Sequence, residues 1–125
     1  MLTKSLSVCR EIVAADGTTL RELLHPERDP ARVRFSLAHA KLKPGSWSLL
    51  HRLQSNEVYC ILAGSGTMEI DGEQREVQEG DVIYIPPGGR QRILARGPDE
   101  LKFLCIVDPA WRAEDEEKLE MKNGK

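Results

Sequence analysis

The sequence predicts an all-β domain. Short β-like runs recur along almost the whole chain, and Gly, Pro and Asp stand between them. Two glycine-framed segments, residues 45–64 and 80–95, occupy the middle. Roughly nine or ten runs at intervals of about 8–12 residues is the spacing of a sandwich or barrel.

The first run, residues 8–13, ends at the turn signal Asp16-Gly17. Residues 19–24 suit a strand or a helical turn and stop at His25-Pro26, where HPERDP holds two prolines and excludes a regular element. Residues 33–42 have strand length and close at Lys43-Pro44-Gly45; residues 48–53 and 57–62 follow. TMEI and EQREV flank Asp71-Gly72, a favoured two-residue hairpin turn because both central residues take positive φ. Residues 81–85, 91–95 and 101–107 complete the set. Asp108-Pro109 can cap and open a helix, so a short exposed C-terminal helix is expected in the charged tail, residues 109–125.

A chain of 125 residues is the length of one domain, and residues 1–125 carry no linker-like break. The net charge of −2 gives no bulk attraction for nucleic acid, and no RNP, zinc-finger or helix-turn-helix pattern stands beside it. Cys9, Cys60 and Cys105 are odd in number, widely spaced and without a CxxC pair, which suits reduced thiols. The N-terminus lacks the continuous apolar core of a signal peptide, and no apolar run reaches bilayer length. The expectation is a cytoplasmic protein with neither a nucleic-acid nor a membrane partner.

The two glycine-framed segments carry the functional signal. Residues 45–64 read Gly-x5-His-x-Leu-x3-Glu-x6-Gly, and residues 80–91 read Gly-x5-Pro-x-Gly-x2-Gln. Together they resemble the two signature motifs of the cupin superfamily. Gly45, His51, Glu57 and Gly64 match in register, as do Gly80, Pro86 and Gly88. The resemblance implies a double-stranded β-helix, or jelly-roll barrel, with its motif-bearing core at about residues 33–107 and added strands within residues 5–24. It also implies a small-molecule ligand, a homodimer and a metal held by two imidazoles from the first motif with its Glu, and a third imidazole from the second. Two of those positions depart: Leu53 replaces one His and Gln91 another.

Strand alternation places His51 with Leu53 on one face, Glu57 with Tyr59 on the next strand, and Gln91 with Ile93 on a later one. In the cupin frame all three sets point inward. His51, Glu57 and Gln91 are then the candidate metal ligands, with Leu53, Tyr59 and Ile93 lining a substrate pocket. Imidazole, carboxylate and amide oxygen form a donor set for a divalent ion such as Fe, Mn, Zn or Ni. A neutral amide binds more weakly than imidazole, so low metal occupancy is part of this expectation. The implied chemistry is dioxygenase- or isomerase-like; catalytic residues are not assigned. The same side chains also admit a metal-free polar pocket that binds a small molecule without catalysis. His25, before a proline in a loop, is read as a surface residue, and the face taken by His39 is left open.

Overall fold

The computed structural model describes residues 1–119. Among them, eleven strands form two antiparallel sheets. The strands are β1 Glu11–Val13, β2 Thr19–Leu24, β3 Ser36–Leu42, β4 His51–Leu53, β5 Asn56–Ala63 and β6 Ser65–Ile70. They continue as β7 Glu73–Gln78, β8 Val82–Ile85, β9 Gln91–Ala95, β10 Leu101–Asp108 and β11 Glu116–Lys118. One sheet runs β1-β2-β3-β10-β5-β8 and the other β11-β4-β9-β6-β7. Neighbours in space are mostly distant in sequence, as the jelly-roll arrangement requires.

Period-two alternation builds the core. On β5, Glu57, Tyr59 and Ile61 are buried while Asn56 and Leu62 face solvent; on β9, Gln91, Ile93 and Ala95 are buried. Ile61, Ile85, Ile93, Leu101 and Phe103 are each 2% exposed or less. Each contributes about 1.5–3 kcal/mol by leaving water. The inward parity expected from the sequence is the observed one.

Two turns fix the path. Asp71 (φ 52°) and Gly72 (φ 85°) make the β6–β7 hairpin. Gly64 is the single residue between β5 and β6, where the chain leaves one sheet for the other. Its φ is +86°, and a Cβ there would stand 2.6 Å from the Glu100 carbonyl oxygen. Only glycine fits both conditions.

Residues 19–24 take the strand alternative. Two expectations change. Residues 48–50 stay outside β4 because their backbone is committed elsewhere: Ser48 N–H donates to Ile93 O (2.9 Å) and Leu49 N–H to Asp16 O (2.7 Å). In the tail, the short C-terminal helix is a single 3-10 turn, Ala113–Asp115, and the charged run continues as β11, paired to β4. Helix past Asp108-Pro109 would compete with bonds the barrel already takes: Ala110 N–H to Arg34 O (2.7 Å), Trp111 N–H to Ser36 Oγ (2.9 Å) and Leu119 N–H to Leu50 O (2.9 Å). The end of the predicted tail, residues 120–125, lies outside the described residues. No helix among the described residues is long and apolar enough to cross a membrane.

Candidate functional site

The register of the two sheets brings the motif residues into one interior. His51 on β4 stands directly across from Gln91 on β9. Antiparallel partners share a face. Glu57 enters from β5 in the opposite sheet, between Ile85 on β8 and Val107 on β10. His51, Glu57 and Gln91 are 3%, 4% and 1% exposed. The inward direction expected for all three is therefore observed. Leu53, Tyr59 and Ile93 are also buried, with Tyr59 and Ile93 in the main apolar cluster. Tyr59 packs on Phe103 with ring centroids 4.5 Å apart.

Glu57 is the hub of a hydrogen-bonded chain. Gln91 Nε2 donates to its Oε1 at 2.7 Å, and the Cys105 thiol donates to its Oε2 at 2.8 Å. Tyr59 O–H donates to Gln91 Oε1 at 2.9 Å. Burial pushes the Glu57 carboxyl above its ordinary value of 4.5, although the Cys105 and Gln91 bonds and nearby His51 oppose the shift. Burial, followed by the neighbouring Glu57 charge, holds the Tyr59 phenol and the Cys105 thiol well above their ordinary values. Both stay protonated at neutral pH and serve as donors.

The Glu57 shift has a signed consequence. The folded chain holds this proton more tightly than the unfolded chain, so stability falls as pH rises from about 4.5 through the folded value. Glu57→Gln keeps an acceptor for Gln91 and removes the titration. In chelator-treated protein, the variant's denaturant midpoint should gain on the parent's as pH rises above about 4.5. Parallel midpoints from pH 4 to 8 would show that this burial carries no cost.

Two acidic residues from outside the motifs reach the same interior. The His51 Nδ1 lies 3.0 Å from the Leu49 carbonyl, which can only accept, so Nδ1 carries the proton and Nε2 faces inward. The Asp16 Oδ2 and the Glu116 Oε2 each stand 3.9 Å from that Nε2. Asp16 sits in the β1–β2 turn, with its Oδ1 accepting from Thr18 N–H (3.0 Å) and Thr18 O–H (2.6 Å). Glu116 opens β11 opposite Leu53, and its Oε1 accepts from Trp111 Nε1–H at 3.1 Å. Asp16, Glu57 and Glu116 thus share the interior with one imidazole, and their other partners are the neutral donors Thr18, Trp111, Gln91 and Cys105. Among the described residues, no three His, Cys, Asp or Glu groups are already drawn together at metal-ligand spacing.

The remaining candidates fall elsewhere. His25 is not a surface residue: it is 1% exposed, its Nε2 is bonded to Trp111 O (2.9 Å), and its Nδ1 accepts from Glu27 N–H (3.2 Å). It ties the 25–30 loop to the C-terminal segment. His39 takes the face opposite core residue Ala40; burial first, then Lys102, Lys41 and Arg21, push its pKa below the ordinary value. Two open surface clefts, of about 520 and 440 Å³, contain none of His51, Glu57 and Gln91. The buried donor cluster, and not the larger surface hollows, holds the motif chemistry.

Comparisons with known proteins agree with the fold. The chain is 45% identical over 109 residues to an uncharacterized protein of Methanocaldococcus jannaschii, covering 86% of each. Its fold is similar to a structure of the polyketide cyclase RemF from Streptomyces resistomycificus. The TM-score is 0.81 at 20% identity, covering 99% of this chain and 89% of that one. A predicted oxalate decarboxylase of Thermotoga maritima aligns with a TM-score of 0.75 and 26% identity, over 86% of this chain and 99% of that one. The family model for the cupin domain matches residues 38–107, which span both motifs and every strand that delivers His51, Glu57 and Gln91. The chain belongs to the cupin family.

Proposed function

We propose that this chain is a metal-binding cupin acting on a small organic molecule, with dioxygenase- or isomerase-like chemistry centred on His51, Glu57 and Gln91. One observation carries the reading: the buried Glu57 and the largely buried Asp16 and Glu116 share the barrel interior with a single imidazole whose Nε2 is turned inward. Buried negative charge is costly unless a cation or a strong hydrogen-bond set offsets it. Nitrogen and carboxylate oxygen are the donor types a divalent ion takes, while among the described residues no three such groups are drawn together at metal-ligand spacing. The names of the two similar structures, a polyketide cyclase and a predicted oxalate decarboxylase, support a small organic substrate. Fold alone does not select the reaction.

When bound, a divalent ion supplies Lewis acidity toward a substrate oxygen. The chain's own residues do the rest. The Leu49 carbonyl fixes the His51 tautomer, and Gln91 and Cys105 orient Glu57. Leu53 and Ile93 keep the surroundings apolar, and Tyr59 holds a protonated hydroxyl on Gln91. Calorimetric titration of chelator-treated protein with Mn²⁺, Fe²⁺, Zn²⁺ and Ni²⁺ tests the reading. Saturable binding of at least one ion near one equivalent is expected, and absence of binding by all four would overturn it.

The Glu57–Gln91–Tyr59–Cys105 chain favours a second reading, a non-catalytic, metal-free pocket for a small molecule, because those groups satisfy one another without an ion. It leaves the Asp16 and Glu116 oxygens around His51 unexplained. We also propose a homodimer formed through residues 5–24. β1 is an edge strand; its Ile12 and Val13, and Val8 before it, are exposed. Pairing such an edge removes an open template for association. Sedimentation at micromolar concentration should give twice the 14.1 kDa chain mass, and a clean monomer would contradict the assignment.

A further inference from the structure

We propose that the larger surface cleft, of about 520 Å³, is a binding site for a free α-amino acid with a small aliphatic side chain. It lies between the 25–30 loop, the β4–β5 turn and the segment after β10, apart from the barrel centre. The inference needs no metal and does not rest on the reading above. A cleft of this size that mixes apolar walls with a few polar groups has the make-up of a small-molecule site.

The ligand class follows from which lining groups the chain has already satisfied. Both ring nitrogens of His25 are engaged, Nε2 with the Trp111 carbonyl and Nδ1 with the Glu27 N–H. Arg112 donates to both oxygens of Asp115, at 3.0 and 3.1 Å, so those two charges answer each other. Four lining side chains remain that make no hydrogen bond among the described residues: Glu27, Arg34, Gln54 and Ser55. They amount to one anion, one cation, one amide and one hydroxyl. A molecule with an ammonium and a carboxylate on neighbouring atoms complements that set. The Arg34 fork takes the carboxylate, helped by Gln54 and Ser55 as donors, and Glu27 takes the ammonium.

Ser55 is the sharpest indicator. It is only 4% exposed, yet its hydroxyl has no partner, whereas buried hydroxyls are ordinarily bonded. Its position is fixed, because the preceding Gln54 N–H donates to Asp115 O at 3.0 Å. Arg34 is also anchored through its backbone, its carbonyl accepting from Ala110 N–H at 2.7 Å. The Asp108 Oδ1 stands 3.9 Å from the Arg34 Nε, outside hydrogen-bond range, so the guanidinium keeps its donors for a ligand. Pro26, Val33 and Pro109 add apolar wall without further donors, which favours an aliphatic side chain over a charged one.

The full chain is titrated with L-alanine, L-valine and L-leucine, and with two analogues of valine that each lack one charge, isovalerate and isobutylamine. Backbone amide resonances locate binding and calorimetry measures it. At least one of the three amino acids should give saturable shifts at Gln54, Ser55 and Ala110, and both analogues should bind at least about 10-fold more weakly than valine. Arg34→Gln and Ser55→Ala should each weaken amino-acid binding by at least about 10-fold. Glu27→Gln should weaken valine and leave isovalerate unchanged. No saturable shift at the cleft with any of the three amino acids up to about 20 mM would overturn the proposal. Isovalerate or isobutylamine binding as tightly as valine, or parent-like affinity in both Arg34→Gln and Ser55→Ala, would also overturn it. If Ser55→Ala does not fold, Arg34→Gln on the exposed rim decides the matter.

Discussion

His51→Ala should reduce divalent-ion affinity by more than about 100-fold, the largest effect expected of any single substitution in this chain. Losing groups that merely support a ligand costs 10–100-fold, and His51 offers the only imidazole in the cluster, so its loss should exceed that range. The variant also loses the bond from Nδ1 to Leu49 and leaves a polar void beside three carboxylates. Affinity must therefore be compared at matched folded fractions, by titration well below each melting temperature. Retention of parent-like affinity in folded His51→Ala would remove this residue from the centre.

Phe103→Ala should cost about 3–5 kcal/mol and lower the melting temperature by roughly 10–20 °C. Phe103 is 2% exposed at the middle of β10, the strand that joins β3 to β5 and carries Cys105 to Glu57. Its ring also supports Tyr59, whose hydroxyl holds Gln91. The loss should thus appear twice, as reduced global stability and as weakened order in the Tyr59–Gln91–Glu57 chain. A denaturant midpoint shift worth less than about 1 kcal/mol would mean the core collapses around the gap and that Phe103 does not set the packing.

The strands that bear the motifs were legible because alternation sorts side chains without any knowledge of partners. Period two places His51 with Leu53, Glu57 with Tyr59 and Gln91 with Ile93 on shared faces, and the cupin resemblance supplies the inward direction. Asp71-Gly72 announces a turn through its conformational demands. The rest of the site was not local information. Asp16 stands in an Asp-Gly turn, where a carboxylate is ordinarily explained by turn chemistry. Nothing nearby signals that the turn folds back onto Leu49. Glu116 lies in a run of charge, EDEEK, that reads as a solvated helix until its pairing with β4 is known. His25 reads as a surface residue for a similar reason: its partner, the Trp111 carbonyl, is 86 residues away. The one cue in the tail is Trp111, a large apolar group in otherwise charged sequence that needs a seat against the barrel.

The central claim is that a divalent ion sits among the motif residues His51, Glu57 and Gln91. Protein purified without chelator or added nickel, analysed for metal content and crystallised for anomalous scattering, tests it most directly. The account predicts a bound divalent metal with its anomalous peak within coordination distance of the His51 Nε2, beside Glu57 and Gln91. Metal-free protein that also takes up none on soaking, with only water at the His51 Nε2, would contradict it.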